Sequence, residues 1–298
     1  MKRILLYLTI LLSGGLSGCL DHQIPSVTPG LPVTRLRVKS LMYEAPDNRT
    51  YVSRFGYDGQ GRLTSLDSYQ TPDSSVDGIV RGLYSYDTQN RLTRLQRVNK
   101  AGLTEGYTYS YNDAGQVSQI SHSGGLTWNY GYTEANQLST ASLFYSHPRF
   151  SIQGSLKFTF TGNNLTQTTG GTGIRYQGMP EGTSSGFPGV SGAAFTHDDK
   201  LNPFYGVFVV PSPLPGFSNL FFGPTTPGAH FGGIDNVQSL SQNNVLTEIP
   251  VSQHQGTITY QYQYNAANLP TLRIKTTTTP LPNAGVTVET LRFEYESY

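Results

Sequence analysis

The chain has one cysteine in 298 residues. A single thiol excludes an internal disulfide and a cysteine-based zinc site. Charge is scarce, at 13% of residues and a net +1. Without a basic excess there is little to displace counterions from a phosphate backbone, so composition argues against nucleic-acid binding. So few charges also argue against a self-repelling disordered chain. The histidines lie scattered at 22, 122, 147, 197, 230 and 254, with no His-x-x-x-His pair. The N-terminal apolar run over 4–12, interrupted by Thr9, is too short to span a bilayer as a helix. What is abundant is tyrosine (20), phenylalanine (14) and glycine (33), a mixture that suits short strands joined by tight turns.

The N-terminus has the layout of an export signal. Lys2 and Arg3 precede the apolar run, and the small residues Ser13, Gly14 and Gly15 follow it. Leu16-Ser17-Gly18-Cys19 then resembles the bacterial lipoprotein processing box. That resemblance implies cleavage before Cys19 and lipidation of its sulfur and new amino group. More than one acyl chain makes such an anchor stable. Cleavage would remove Lys2 and Arg3, leaving 18 basic against 19 acidic groups. The next residue is Leu20, with Asp21 after it; in the enteric sorting rule an aspartate directly after the cysteine retains a lipoprotein in the inner membrane. Leu20 therefore points to the outer membrane. Pro25, Pro29, Gly30 and Pro32 read as an extended tether. The expected organisation is a signal peptide over 1–18, a lipidated cysteine and flexible tether over 19–33, and a single β-repeat domain over 34–298.

The body repeats itself. Tyr57-Asp58-Gly59-Gln60-Gly61-Arg62-Leu63-Thr64 is matched by Tyr86-Asp87-Thr88-Gln89-Asn90-Arg91-Leu92-Thr93. Looser copies begin at Tyr111 and Tyr132, and shorter ones at Phe160 and Tyr264. The motif is turn chemistry. Its second residue (Asp58, Asp87, Asn112, Thr133, Thr161, Asn265) carries a short side-chain oxygen that can take a backbone N–H two residues on. Its fifth (Gly61, Asn90, Gly115, Asn136, Asn164, Asn268) is a type that tolerates a left-handed backbone. This pattern predicts a type I turn closed by a left-handed residue. Leu63, Leu92, Val117 and Leu138 lie 29, 25 and 21 residues apart, about one hairpin with its connection.

Alternating aromatics lead into the turns: Tyr107, Tyr109 and Tyr111; Trp128, Tyr130 and Tyr132; Phe158 and Phe160; Tyr260, Tyr262 and Tyr264; Leu291, Phe293 and Tyr295. Period two means one aromatic and one polar face. After each turn the apolar pair sits three apart, as in Leu63 and Leu66. The residues leave open whether a bulge or burial of both faces resolves that offset. Residues 170–233 carry 14 Gly and 8 Pro, and proline is excluded from a central ladder. This stretch is expected to be an insertion, packed on or into the sheet, with a short helix near 203–208 and the apolar segment 217–222 buried.

The Tyr-Asp-x-x-Gly-Arg-Leu-Thr motif resembles the YD repeats of Rhs-type proteins, which build long curled antiparallel sheets. Together with the lipoprotein box and Asp199-Lys200-Leu201-Asn202-Pro203-Phe204, it is closer to Gram-negative lipoproteins of unknown function whose domain adopts a porin-like β fold. The resemblance covers about 34–298 and implies an all-β fold, a curled sheet or barrel-like meander. It brings no catalytic residues, and the toxin domain of Rhs proteins is absent.

No other motif has the context that chemistry requires. Gly182-Thr183-Ser184-Ser185-Gly186 matches a nucleophile elbow, but Pro180 and Pro188 bracket it where a strand and a helix are needed. His197-Asp198-Asp199 reads as a solvated turn rather than a cation site. Gly170-Gly171-Thr172-Gly173 lacks the setting for phosphate. Asn48 and Asn164 head glycosylation sequons that a bacterial lipoprotein leaves idle. The expectation is a lipid-anchored, non-enzymatic envelope protein of the outer membrane, structural or assembly-related. It has no cofactor, no metal, no nucleic acid, and a glycan or envelope-protein partner of unknown identity. The alternative is a glycan- or peptide-binding lipoprotein, in which exposed Trp128, Tyr130 and Tyr132 would form the platform.

Overall fold

A computed structural model describes residues 36–72, 80–99, 102, 104–180, 185–206, 238–251, 256–280 and 284–298. Cys19, the tether and the segment 217–222 lie outside them. Sixteen strands run in chain order: β1 Leu36–Glu44, β2 Thr50–Tyr57, β3 Leu63–Thr71, β4 Val80–Tyr86, β5 Leu92–Asn99, β6 Thr104–Tyr111, β7 Val117–His122, β8 Thr127–Tyr132, β9 Leu138–His147, β10 Phe150–Thr161, β11 Asn164–Tyr176, β12 Ser185–Leu201, β13 Asn243–Pro250, β14 Thr257–Tyr264, β15 Pro270–Thr279 and β16 Gly285–Ser297. Each pairs antiparallel with its neighbours, and β16 pairs with β1, so the meander closes into a barrel. Closure removes the sheet edges that an open meander would expose. The β1–β16 seam carries the Arg37–Glu296 and Arg292–Glu44 ion pairs and a Ser40–Glu294 hydrogen bond.

The motif turns form as their residues dictate. Asp58 Oδ1 accepts from the backbone N–H of Gln60 and Arg62, each at 2.9 Å, while its other oxygen pairs with the Arg62 guanidinium. Asp87 repeats this with Gln89 and Arg91, and the Arg91 N–H holds its carboxyl below the usual range. Gly61, Asn90, Gly115, Asn136 and Asn268 all have φ between +58° and +84°. The Phe160 copy departs from the expectation. Its left-handed residue is Gly162, and Asn164 is already in β11, opposite Thr161. This copy is one residue shorter between its aromatic and its leucine, so Thr161 and Asn164 pair and Gly162 and Asn163 alone reverse the chain. Two turns at the other end of the barrel share the motif's geometry without its sequence: Ala45–Arg49, closed by Asn48, and His122–Leu126, closed by Gly125.

Gly115→Val is expected to lower stability by about 1–2 kcal/mol or more, because a β-branched residue resists φ of +76°. Gly115→Asn should be milder, since asparagine fills the same slot at 90, 136 and 268. Denaturation midpoints of the two variants check this; equal values would contradict the turn's dependence on that backbone.

The offset of three after each turn is resolved by a bulge. Phe55 faces Leu66, Gly56 faces Ser65, and Tyr57 faces Leu63, which leaves Thr64 as the extra residue. Leu63 and Leu66 thereby both point inward, each 2% exposed. The same register shift leaves Thr93, Ser118, Ser139, Thr166 and Thr271 as extra residues. Thr64, Thr93, Ser139, Thr166 and Thr271 donate their hydroxyls to the facing strand's backbone, as in Thr64 Oγ1 to Gly56 O.

Between hairpins the ladders stop short of the motif end. The last β3–β4 pair is Ser65 with Leu83, and the last β5–β6 pair is Arg94 with Thr108. Here the motif tyrosine takes over. Tyr86 Oη donates to Leu63 O, Tyr111 to Leu92 O and Tyr132 to Val117 O, at 2.7–2.8 Å. Tyr57 and Tyr295 do the same to Val38 O and Pro270 O. Each hydroxyl thus satisfies a carbonyl that the ladder has released, and joins one repeat to the previous one. The motif arginine stacks on the same ring, Arg62 on Tyr86 at 4.8 Å and Arg91 on Tyr111 at 4.7 Å. Tyr111→Phe should cost about 1 kcal/mol, the worth of one such hydrogen bond, measured by urea denaturation.

The aromatic rows point inward. Tyr84, Tyr107, Tyr109, Trp128, Tyr130, Phe158, Tyr260 and Phe293 are each under 10% exposed and belong to one core cluster with the motif leucines. Outward positions between them, such as Thr108, Ser110, Asn129, Gln153, Ser155 and Lys157, are exposed and polar.

The stretch 170–233 is not wholly an insertion: residues 170–176 complete β11 and 185–201 form β12, inside the barrel. Its glycines serve close strand approach. A Cβ on Gly170 would sit 2.0 Å from Ser155 O, and one on Gly192 would sit 2.2 Å from Thr168 O. Pro188 falls where Phe187 faces Thr172 and Ser191 faces Gly170, an irregular stretch that needs no ladder donor from it. Residues 203–206 form a turn rather than the start of a helix. Residues 207–237 lie outside the described part of the chain.

Candidate functional site at the break in the tyrosine ladder

One motif tyrosine breaks the pattern. Tyr264, at the end of β14, donates to the Asp198 carboxylate on β12 instead of to a neighbouring backbone carbonyl. Asp198 also accepts from the backbone N–H groups of Lys200, at 2.9 Å, and Asn244, at 3.1 Å. The carboxylate therefore ties three strands together. Burial, and then Asp198 itself, push the Tyr264 phenol well above its ordinary pKa, so it stays a donor.

β12 ends here, and the Asp-Lys-x-Asn-Pro-Phe element turns the chain into the barrel mouth. Asn202 is 8% exposed; its Oδ1 accepts from Phe204 N–H and its Nδ2 donates to Ser241 O, both at 3.0 Å. That side-chain turn aims Phe204 into the interior. Its ring lies 6.1 Å from Phe55 of β2 and 6.3 Å from Phe293 of β16. Asn244 and Asn243 hold the return strand: Asn243 Nδ2 donates to Lys200 O, and the Asn243 and Asn164 side chains pair at 2.9 Å. His197 Nε2 lies 3.0 Å from Ser241 Oγ, and burial lowers the imidazole pKa.

Below Phe204 lies a cavity of about 20 Å³, lined among others by Asn202, Asn244, Val245, Tyr262 and Arg273. That is room for about one water. Burial pushes the Tyr262 phenol up to about 12. Arg273, 7% exposed, lies over the Tyr260 ring at 5.4 Å, and Tyr260 Oη donates to Glu248 Oε2 at 3.4 Å. Farther along the lumen, Lys275 pairs with Glu289 at 3.3 Å. The site is a closed polar node under an aromatic plug. Its acid, amide and phenol groups are engaged with one another.

The residues singled out in the sequence are only partly brought together. Asp198 and Asn202–Phe204 meet at this node. Asp199 is exposed and pairs with the Lys200 ammonium instead of joining the node. Among the described residues no group of three or more His, Cys, Asp or Glu could hold a metal. Ser184 lies outside the described residues, while Ser185 and Gly186 start β12, facing Ile174 and Gly173. Gly170 and Gly173 are in strand β11. Arg273 and Glu248 were not legible as interior groups. Hydropathy alone sends Leu272 and Ile274 inward, but the bulge at Thr271 shifts the phase and turns Arg273 inward instead.

The fold is that of a porin-like β-barrel. It is similar to the crystal structure of a porin-like protein from Bacteroides uniformis, with a TM-score of 0.52 and 14% identity over 87% of this chain and 98% of that one. Segments of the TcdB2-TccC3-Cdc42 and TcdB2-TccC3-TEV crystal structures align with TM-scores of 0.31 and 0.30 and identities of 13% and 15%. They cover 80% and 78% of this chain but only 14% and 13% of those longer ones. No family model and no curated protein matches the sequence.

Proposed function

We propose that the chain is a lipid-anchored envelope protein of a Gram-negative outer membrane, whose barrel has a structural or assembly role and no catalytic activity. The observation that carries this reading is the burial of the aromatic rows. Trp128 is 4% exposed and Tyr130 8%, so the rings that would stack a glycan or peptide are core instead. The interior is filled with side chains, and the cavity beside Arg273 has room for about one water. The wall presents polar side chains where a membrane-spanning barrel needs an apolar band, which favours a lipid anchor over strands as the means of attachment. Both ends of the described chain, Leu36 and Tyr298, lie at the motif end of the barrel, so a tether from Cys19 would join it there.

Cys19→Ser tests the anchor. Cells expressing the variant should release the protein from the membrane fraction on a high-salt wash, whereas the parent chain stays. Retention of the variant would overturn the lipid-anchor reading. A glycan array on the purified protein tests the binding alternative, and specific saturable binding would displace the structural role.

A further inference from the structure

The two closing strands reproduce the motif between them. Tyr295 faces Val38 as Tyr57 faces Leu63, Glu294 faces Ser40 as Gly56 faces Ser65, and Phe293 faces Leu41 as Phe55 faces Leu66. Lys39 is the extra residue of the bulge, as Thr64 is. Val38 and Leu41, three apart, are 3% and 1% exposed, so both enter the core like Leu63 and Leu66. Tyr57 Oη donates to Val38 O, the place that Leu63 O holds for Tyr86. Arg37 pairs with Glu296 at 2.7 Å and stacks on the Tyr57 ring at 4.1 Å, as Arg62 pairs with Asp58 at 2.7 Å and stacks on Tyr86 at 4.8 Å. Tyr295-Glu296-Ser297-Tyr298 set before Leu36-Arg37-Val38-Lys39 is therefore a whole motif in register, with Ser297, Tyr298 and Leu36 where Gly59, Gln60 and Gly61 stand. Only the turn is missing, since no peptide bond joins Tyr298 to Leu36. The paired charges lie 259 residues apart along the chain here and 4 apart in the intact repeat.

We infer that β16 and β1 are the halves of one split repeat, and that this repeat is the latch of the barrel, the ladder at which the closed wall opens. In an intact repeat a frayed pair stays tethered by its short turn and re-forms at once. At the split repeat the strands are held near each other only through their other neighbours, β15 and β2, and re-pairing has to close a loop that runs around the whole ring. Side chains stand in for the turn. The Arg37 guanidinium lies over the Tyr298 ring at 4.8 Å as well as over Tyr57, and Tyr298 reaches the next turn, where a Cβ on Gly61 would meet its ring at 3.4 Å. Farther along, Ser40 donates to Glu294 at 2.7 Å and Arg292 pairs with Glu44 at 3.1 Å. Such pairs add little where a turn already aligns two strands, but at the seam they do the aligning. An open seam leaves β1 and β16 as free edge strands.

The test is amide hydrogen exchange on the full chain in detergent micelles. Amides that pair across β1 and β16 should exchange about tenfold or more faster than those that pair across β2 and β3. Arg37→Gln should speed the seam about tenfold again, whereas Arg62→Gln, which removes the matching arginine of a tethered repeat, should speed its own ladder by about threefold or less. A permuted chain supplies the missing turn. Tyr298 is joined directly to position 36 carrying Leu36→Gly, the Asp113–Ala114 bond is left open, and residues 1–35 are moved ahead of Ala114. Exchange at the seam should then slow to the β2–β3 level, and the fastest ladder should become β6–β7. A seam no faster than β2–β3 in the parent chain, or equal effects of the two arginine changes, overturns the inference. So does a permuted chain with native circular dichroism and Trp128 emission that still exchanges fastest between β1 and β16. If the permuted chain does not fold, the parent rates and the two arginine variants decide the matter by the same criteria.

Discussion

Trp128→Ala is expected to destabilise the barrel by about 3–5 kcal/mol, the usual cost of emptying a large aromatic site in a packed core. The indole lies on β8 between Ile120 of β7 and Leu143 of β9, and it is 4% exposed. Its neighbours are held by ladders on both sides, so they can relax only partly into the space. Trp128 is the single tryptophan of the chain, and it reports on its own environment. Emission should be blue-shifted and resist acrylamide quenching until the protein unfolds. Trp128→Phe separates two contributions. The indole Nε1 is buried with no hydrogen-bond partner among the described residues, so phenylalanine removes an unsatisfied donor while keeping most of the volume. It should cost clearly less than alanine. A red, readily quenched emission, or an alanine variant as stable as the parent, would contradict the filled interior on which the structural role rests.

Phe204→Ala should also cost about 3–5 kcal/mol, although the residue belongs to a turn and not to a strand. The ring is 7% exposed and lies between Phe55 of β2 and Phe293 of β16, the strands on either side of β1. Removing it would merge its volume with the small cavity beside Tyr262 and Arg273. The buried charge of Arg273 would then meet water. Asn202→Ala should cost less, about 1–3 kcal/mol, for the amide's contacts to Phe204 and Ser241. Chemical denaturation of both variants measures this. A neutral Phe204→Ala would mean that the turn rests on the barrel mouth without closing it.

Several features were legible because they are local. Asp58, Gly61 and Arg62 close a turn by contacts within five residues, and the residue types alone specify that geometry. Period two in Tyr107–Tyr111 and Trp128–Tyr132 specifies strands with one aromatic face. The Gly/Pro-rich stretch misled because glycine has two uses. Composition cannot distinguish a flexible loop from strands that approach closely, as Gly170 and Gly192 do. The node at Asp198 was legible only as the motif around Asn202 and Phe204. Its other members, Tyr264, Asn244 and Arg273, come from strands that are distant in sequence.

From the sequence alone come the strand and turn alphabet, the repeat, the resemblance to porin-like lipoproteins and the expectation of a lipid anchor at Cys19, since each rests on residues adjacent along the chain. The tertiary structure decided that the meander closes, that the aromatic rows face inward, and that bulges bring both leucines of each repeat to the core. It also decided that Tyr264 exchanges a backbone partner for Asp198. These depend on register and curvature. A shift of one residue in a strand reverses every side chain it carries, and that choice is made by the packing of all sixteen strands together.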